Sequence, residues 1–389
     1  MAFHYAKRME KFGSSIFSEL KSFKLQQEAE GKELIDLSLG SPDLPPADIV
    51  RNELAVQAAE PFQYGYTLSG TKDFYEAAAR YYKRVYNVSL DPQTEFVHAM
   101  GSQEGLVHLP LVFADPGDIV LVTDPGYPAY ETGLAVAGAE PFYMPLHKEN
   151  RFLPDLTAIP VETAQKAKLM ILNYPGNPAA GEADEAFFKE VIAFAKQYEI
   201  AVLHDAAYSE FYFDDTKPLS FLAVPGAKEI GIEINSLSKS FSLAGARIAY
   251  MAGNKEIIAA ITRLKSNLDY GVFAPIQAAA IAAFDHAEEI SRHVRSTFQK
   301  RRDALVDELH RIGWNVARPS GGMFIWAEIP SGWTSKEFSF HCIEEAGVVM
   351  VPGSAFGPSG EGYVRIALVQ PEDTLIKAAQ QLQSIFSDA

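Results

Sequence analysis

The chain has 389 residues, of which 48% are hydrophobic and 22% are charged, a composition typical of a globular protein with one large domain and a smaller one. Its formal net charge is -16 and its pI is about 5.1, so its acidic surface disfavours nucleic acids and anionic membranes as partners. The sequence contains no apolar run of about 18 residues and no signal-peptide pattern, and we therefore expect a cytoplasmic protein.

The first 45 residues are predicted to form a helix and then a strand with the sequence LIDLSLGSPD, residues 34–43. Through the middle of the chain, short apolar runs alternate with helical patterns such as the one at 184–199. This alternation predicts a parallel sheet with helices on both faces, because central parallel strands are buried on both sides. The predicted strands are 118–123, 168–173, 200–205, 233–237 and 247–253.

From about residue 281 the pattern changes to a long charged helix, predicted at 287–313, and then to strands in GGMFIWAEI and EGYVRIALV. The whole chain therefore predicts an α/β fold, with a mostly parallel central sheet sandwiched by helices and a smaller α+β C-terminal domain. The predicted parts are an N-terminal arm and small-domain segment at 1–45, a large domain at 46–280 and a small C-terminal domain at 281–389.

The first candidate site is a turn between a strand and a helix within segment 95–113, where Gly101, Ser102 and Gln103 stand. Phosphate sites in α/β proteins form at such turns, because free backbone N–H groups and the helix dipole attract anions. Taken alone, the segment fits an ordinary helix-capping turn better. It is therefore a candidate whose support has to come from other segments.

A second segment, EINSLSKSFSLAGARIAYMAG, places Ser236, Ser238, Lys239 and Arg247 between two apolar strands. Arginine makes bidentate contacts to phosphate and serine adds a neutral donor, so a phosphate could be held while the Lys239 amine stays free to react. The alternative is a solvated loop with an isolated cation. Against that alternative, Lys239 stands among small and apolar residues rather than in a run of charges.

Two more candidates follow predicted strands. Asp205 is expected at the carboxyl end of an apolar strand, where open α/β sheets bind ligands, and Tyr208 comes three residues later. Asn177 follows another strand, within NYPGNPAAG. The Asp205 carboxylate could cap a helix or pair with a protonated ring nitrogen. Taken singly, both segments are more often turn chemistry.

The order and spacing of all these segments resemble the class I/II aminotransferases, which are aspartate aminotransferase-like pyridoxal phosphate (PLP) enzymes of fold type I. The resemblance runs from GSPDLPP near residue 41 to YVRIAL near residue 365 and includes S-L-S-K with an arginine eight positions after the lysine. It implies the fold type I architecture, with PLP bound in the large domain at 46–280 and no metal.

The resemblance also implies a role for each candidate residue around PLP. Lys239 would form the internal aldimine and then act as general base and acid, and Asp205 would keep the pyridinium nitrogen protonated, which makes the ring an electron sink. Tyr208 and Asn177 would hydrogen-bond the phenolate oxygen of the ring. Tyr127 would be the aromatic residue that stacks on the ring. The phosphate would be bound by Ser102, Gln103, Ser236 and Arg247.

The substrate would be held mainly by Arg365, which matches the arginine that grips the α-carboxylate in the family. An arginine within an apolar strand needs an anionic partner, because burying it alone is costly. Gly40 matches a backbone contact to the same carboxylate, and Asn177 is also placed at the substrate. This clamp would hold the Cα–H bond within reach of Lys239.

One position departs from the family pattern. Family members usually have a tyrosine, donated by the neighbouring subunit, five residues before the glycine that is Gly70 here, but this chain has Gly65 there. Tyr64 is favoured over Tyr66 as the phosphate contact, with an extra residue in the loop. Either tyrosine implies shared active sites in a homodimer.

The function predicted from the resemblance is transfer of an amino group from an L-amino acid to a 2-oxo acid by a ping-pong mechanism. The segment at 263–277 and the sequence HDAAYSE are most similar to the branch with LL-diaminopimelate, alanine and aromatic or aspartate aminotransferases. One alternative is a PLP-dependent β-elimination (C–S) lyase. A second is a non-catalytic PLP-binding regulatory domain, which the acidic charge disfavours. The amino donor and the oxo acid stay open.

Overall fold

The computed structural model describes residues 3–12 and 15–387. Within them, the strands are β1 Ile35–Asp36, β2 Phe96–Ala99, β3 Ile119–Asp124, β4 Glu140–Pro145, β5 Ala167–Asn173, β6 Ala201–Asp205, β7 Gly231–Ser236, β8 Ala249–Gly253, β9 Phe324–Glu328, β10 Val348–Val349, β11 Val351–Pro352 and β12 Tyr363–Ala367.

The helices of the same residues surround these strands. They are α1 Ile16–Ala29, α2 Asp48–Ala59, α3 Lys72–Tyr86, α4 Ser102–Phe113, α5 Ala129–Ala137, α6 Val161–Lys166, α7 Glu185–Tyr198, α8 Ala227–Ile230, α9 Leu237–Ser240, α10 Lys255–Lys265, α11 Ala274–Asp285, α12 Ala287–Arg311, α13 Ser335–Ala346, α14 Glu372–Gln381 and α15 Gln383–Ser387. None of them is long and apolar enough to cross a membrane.

The central sheet has seven strands in the order β2-β8-β7-β6-β5-β3-β4. Strands β3 to β7 pair in parallel, which confirms the prediction of a mostly parallel sheet. Strand β8 is antiparallel to both of its neighbours. Parallel neighbours need a crossover along a face of the sheet, whereas residues 237–248 stay at one edge as α9 and a short turn, so the chain returns in the opposite direction.

Both faces of this sheet are buried, as the apolar runs predict. In β5, Met170 and Leu172 belong to the hydrophobic core on one face, while Leu169 and Ile171 belong to the core on the other. Successive side chains of a strand point to opposite faces, so a strand covered on both sides must be apolar throughout. This is why the strands lack polar alternation in the sequence.

Two smaller sheets lie outside the central one. Strands β11, β12 and β9 form an antiparallel sheet, and β1 pairs in parallel with β10. The prediction of a strand over 34–43 is wrong beyond Asp36, because that strand has only two residues. Proline cannot donate to a strand ladder, and Pro42, Pro45 and Pro46 follow. The irregular chain after β1 supplies backbone groups to the site described next.

Candidate active site

A cavity of about 730 Å³ lies at the carboxyl ends of the parallel strands. This is where open α/β sheets bind ligands, because the loops that leave neighbouring strands diverge there. The cavity brings together nine of the residues predicted from the sequence, which are Gly40, Ser102, Gln103, Tyr127, Asn177, Asp205, Tyr208, Lys239 and Arg365. Segments more than 300 residues apart in the chain therefore meet at one site.

Lys239 lies on α9, the short helix that begins directly after β7. The hydroxyl of Ser236 caps this helix by accepting a hydrogen bond from the Ser238 backbone N–H at 3.1 Å. The Lys239 ammonium donates to the backbone carbonyl of Gly40. Burial, together with the positive charges of Arg365 and Arg247, lowers the pKa of Lys239 to about 8, against the opposing charge of Asp205. The neutral amine is therefore a minor form near neutral pH, but a far more populated one than for a lysine with its usual pKa.

Asp205 ends β6 and is only 4% exposed. Its two oxygens accept hydrogen bonds from the Tyr130 hydroxyl at 3.1 Å and from the Ala207 backbone N–H at 3.2 Å. Burial raises the pKa of the Asp205 carboxyl, and these two hydrogen bonds oppose the rise. A nearby positively charged group would hold the carboxylate in its ionised form. Tyr130 was not predicted; it lies in the first turn of α5, three residues after Tyr127, and the two rings pack edge-on.

Asn173, the last residue of β5, joins Asp205 to the next loop. Its amide nitrogen donates to the Asp205 carbonyl at 2.7 Å, and its amide oxygen accepts from the Asn177 backbone N–H at 2.8 Å. Burial raises the pKa of the Tyr208 hydroxyl well above its usual value, while the Arg365 charge and a hydrogen bond with Asn177 lower it. Asn173 thus fixes the loop that carries Asn177 beside Tyr208, a positioning role that its sequence context did not reveal.

Arg365 on β12 is 4% exposed and has no carboxylate partner within the described residues. One terminal nitrogen donates to Asn177 Oδ1 and the other to the Ser38 carbonyl, both at 2.8 Å, while Nε has no hydrogen-bond partner. The guanidinium lies over the rings of Phe324 and Phe356, with its carbon 4.2 and 4.8 Å from their centroids. Burial lowers the pKa of Arg365 to about 10. Such a cation needs an anion from outside the chain.

The N-terminus of α4 lies at one end of the cavity, where Ser102 and Gln103 line its wall. No side chain caps this helix, so its first backbone N–H groups can bind a ligand. Arg247 lies beside it, donating to the carbonyls of Ala244 at 2.9 Å and Met100 at 3.4 Å. A Cβ at Gly101, which has φ +84°, would overlap the Arg247 guanidinium. The glycine is therefore required for the arginine to approach the helix end.

These groups fit PLP by their chemistry. The helix end with Arg247 suits a phosphate, buried Asp205 suits a protonated ring nitrogen, and Lys239 offers an amine with a lowered pKa. Arg365 supplies a further cation, whose Nε has no hydrogen-bond partner among the residues that the structure describes. Tyr127 lies on the cavity wall with its ring packed edge-on against Tyr130 at 5.9 Å between centroids.

Tyr64 and Tyr66 lie outside this cavity within one chain. They are 65% and 81% exposed, and their rings pack on Phe273 and Tyr270 at centroid distances of 5.2 and 4.8 Å. The Tyr64 hydroxyl donates to the Ala58 carbonyl at 2.7 Å. Neither tyrosine reaches Lys239 of its own chain, and the choice between them stays a prediction.

Comparison with known proteins gives a consistent result over the whole chain. A family model described as aminotransferase class I and II matches residues 32–382. An LL-diaminopimelate aminotransferase of Moorella thermoacetica is 42% identical over 381 residues, which covers 98% of both proteins. Substrate-bound BacF from Bacillus subtilis has a TM-score of 0.95 at 37% identity, with 99% of this chain and 98% of that chain covered. A probable N-succinyldiaminopimelate aminotransferase from Thermus thermophilus has a TM-score of 0.90 at 35% identity, with 95% and 100% covered.

Proposed function

The chain belongs to the class I and II aminotransferases, and from that membership we propose how its own residues serve the reaction. The protein is a PLP-dependent enzyme that transfers an amino group from an amino acid to a 2-oxo acid. The residue assignment rests on one observation: Lys239, Asp205 and Arg365 line one cavity, and Arg365 has no carboxylate partner among the described residues. The hydrogen bonds of these charged groups go to neutral partners, which suits ion pairs with a bound cofactor and substrate.

Lys239 is proposed to hold PLP covalently, with Asp205 accepting a hydrogen bond from the ring nitrogen. Arg247, Ser236 and the N–H groups at Ser102 and Gln103 hold the phosphate. The Ser236 hydroxyl oxygen already accepts the bond from Ser238, so its proton is free to be donated to an anion. When bound, PLP supplies an electron sink for the electron pair released from the substrate Cα–H bond.

Proton transfer is assigned to the Nζ atom of Lys239. Because burial lowers the pKa of this lysine to about 8, the neutral amine can accept the Cα proton near neutral pH and return it as an ammonium. Its contact with the Gly40 carbonyl keeps the amine at the substrate side of the cavity. The same residue thus holds the cofactor and moves the proton.

Arg365 is proposed to bind the α-carboxylate of both substrates. Its Nε has no partner in the chain, and Asn177 and the Ser38 carbonyl fix the remaining geometry of the guanidinium. Binding of the carboxylate there would immobilise one end of the amino acid and so orient its Cα–H bond toward Lys239. The flanking Phe324 and Phe356 rings exclude water and strengthen this ion pair.

We propose an amino donor of the diaminopimelate type, which carries a second charged end. The support is that a relative 42% identical over nearly its whole length is named an LL-diaminopimelate aminotransferase, and a second relative at 43% bears the same name.

A single-turnover experiment tests the function. The holoenzyme is mixed with LL-diaminopimelate, L-glutamate, L-alanine, L-phenylalanine and L-cysteine in turn. The conversion of bound PLP to pyridoxamine phosphate is followed by absorbance, and released pyruvate and ammonia are assayed. We expect conversion with LL-diaminopimelate and a stoichiometric 2-oxo acid product. A β-elimination lyase would instead leave PLP unchanged and release pyruvate and ammonia from a sulfur amino acid, which would contradict the proposal.

A homodimer with shared active sites is also proposed. Tyr64, Tyr66, Tyr270 and Phe62 form an exposed aromatic surface, between 62% and 96% exposed, of a kind that marks interaction sites. If Tyr64 contacts the partner's phosphate, Tyr64→Phe should weaken PLP binding to the apoenzyme by about five- to tenfold, with Tyr66→Phe as the matched control. An equal effect of both substitutions would contradict the choice of Tyr64. A cytoplasmic location stays our proposal, testable by cell fractionation.

A further inference from the structure

One wall of the active-site cavity is formed by helix α1, which the sequence did not connect with the site. Its residues Phe17, Leu20, Lys21 and Lys24 line the cavity. Their spacing of three, four and seven positions places them on one face of the helix. Phe17 packs edge-on against Phe356 at 5.7 Å, and Phe356 lies over the Arg365 guanidinium. The face of α1 therefore adjoins the substrate end of the cavity rather than the phosphate end.

The two lysines on this face differ in their partners. Lys24 forms an ion pair with Asp36 at 2.7 Å and approaches Glu28 at 3.8 Å, so its charge is compensated within the chain. The other oxygen of Asp36 accepts hydrogen bonds from the backbone and side chain of Ser38 at 2.9 and 2.6 Å. Lys21 has no carboxylate within 4.0 Å in the part of the chain that the structure describes.

More positive than negative side chains line the cavity. Its cations are Lys21, Lys24, Lys239 and Arg365, whereas its carboxylates are Asp36 and Asp205. Asp36 compensates Lys24, Asp205 is assigned to the ring nitrogen and Lys239 to the cofactor itself. Arg365 and Lys21 are left, while the phosphate is held outside this set by Arg247 and the end of α4. Arg365 is buried and Lys21 is exposed at the cavity, and in a chain of net charge -16 these two remaining cations suit a ligand with two anionic groups.

We propose that Lys21 binds the second carboxylate of a substrate whose α-carboxylate is held by Arg365. The enzyme then prefers dicarboxylic amino donors and acceptors over neutral molecules of the same length. This inference rests on the proposed function and deepens it, because it names the substrate class. Lysine suits the task, since its flexible four-carbon stem lets one ammonium reach carboxylates on side chains of different length.

The test compares pairs of amino acids that differ at the distal carboxylate alone. L-lysine is LL-diaminopimelate without its second carboxylate, and L-glutamine is the neutral isostere of L-glutamate. For each pair, the apparent dissociation constant and maximal rate of the single-turnover half-reaction are measured with wild type, Lys21→Gln and Lys32→Gln. Lys32 is the matched control, because its ammonium donates to the Glu344 carbonyl and it does not line the cavity.

We expect wild type to bind the dicarboxylic member of a reactive pair more tightly, and Lys21→Gln to weaken that binding by about five- to tenfold with little change in maximal rate. Binding of the monocarboxylic member should change by less than about twofold, because it has no distal carboxylate for Lys21 to bind. Lys32→Gln should alter neither member. Lys21→Glu should weaken dicarboxylate binding further, because it places a like charge at the subsite.

Equal effects of Lys21→Gln on both members of a pair would overturn the subsite, as would a wild type that reacts only with the monocarboxylic members. Both of these results would leave the aminotransferase function intact. Absence of a half-reaction with every amino acid, in an enzyme that has bound PLP, would instead contradict the proposed function. The two failures are therefore distinguishable in one experiment.

Discussion

Lys265 and Arg365 are both almost completely buried, with 1% and 4% of their surface exposed, yet their surroundings are opposite. The Lys265 ammonium pairs with Glu104 and with Asp269, both at 2.8 Å. Arg365 has only neutral oxygen acceptors and one unpartnered nitrogen. Burying a charge is costly unless it is paired, so the chain compensates Lys265 completely and leaves Arg365 incomplete. The difference separates a structural cation from one that binds a ligand.

The partners of Lys265 show what it stabilises. Glu104 stands in the first turn of α4, where its second oxygen accepts from the Met100 N–H at 2.6 Å. Asp269 accepts from the Gly271 N–H at 2.8 Å and so fixes the turn that follows α10. Lys265 therefore connects the N-terminus of α4, the proposed phosphate site, to a neighbouring loop, whereas Arg365 is proposed to bind the substrate carboxylate.

The largest expected effect comes from Arg365→Met. Removing the arginine eliminates a buried, charge-assisted contact to the α-carboxylate, so kcat/KM should fall by about 10² to 10³, corresponding to roughly 3–4 kcal/mol. The free energy of unfolding of the apoenzyme should stay the same or rise, because an uncompensated buried cation is lost. Steady-state kinetics and urea unfolding measure the two quantities. A large loss of stability would mean that Arg365 is structural.

Lys265→Met should show the reverse pattern. Two partly buried carboxylates would lose their common partner, so the free energy of unfolding should fall by about 3 kcal/mol. The triple substitution Lys265→Met, Glu104→Gln and Asp269→Asn should recover part of this loss, since no charge is then left unpaired. Urea unfolding of the single and triple variants provides the comparison. A single variant as stable as wild type would contradict a structural role for Lys265.

A smaller effect concerns the pH dependence of PLP binding. Only the neutral amine of Lys239 reacts with PLP, so the rate of binding to the apoenzyme should rise with pH around a midpoint near 8. After burial, the charge of Arg365 is the largest cause that lowers this pKa. Arg365→Met should therefore move the midpoint to higher pH. Stopped-flow absorbance over a pH series measures it.

The matched comparison is Lys265→Met at a temperature where that variant is folded. Lys265 is not among the groups that shift the pKa of Lys239, so the midpoint should stay near 8. An equal shift in both variants would show that the effect is a general loss of positive charge. That result would contradict the claim that Arg365, and not Lys265, lowers the pKa of Lys239.

The sequence alone was sufficient for the parts of the fold and the site that depend on local pattern. The strands that end at Asn173 and Asp205 were predicted from uninterrupted apolar runs, which buried parallel strands require. The grouping of Lys239, Asp205 and Arg365 followed from the family resemblance, and the structure brings them into one cavity.

The remaining features depend on contacts between distant segments and leave no local pattern. The direction of β8 is set by the path of the chain after β7, and the bond from Tyr130 to Asp205 joins residues 75 positions apart. The compensation of Lys265 by Glu104 spans 161 positions. Lys21 was not among the predicted site residues, because nothing in the sequence indicates which face of α1 lines the cavity.

The central claim is that Lys239, and no other lysine, holds the cofactor. Its most direct test is reduction of the holoenzyme with borohydride, followed by proteolysis and mass spectrometry of the labelled peptide. We predict one equivalent of reduced cofactor on Lys239, and no label in Lys239→Ala treated in the same way. A label on another lysine, or an unchanged amount of label in the Lys239→Ala protein, would contradict the account.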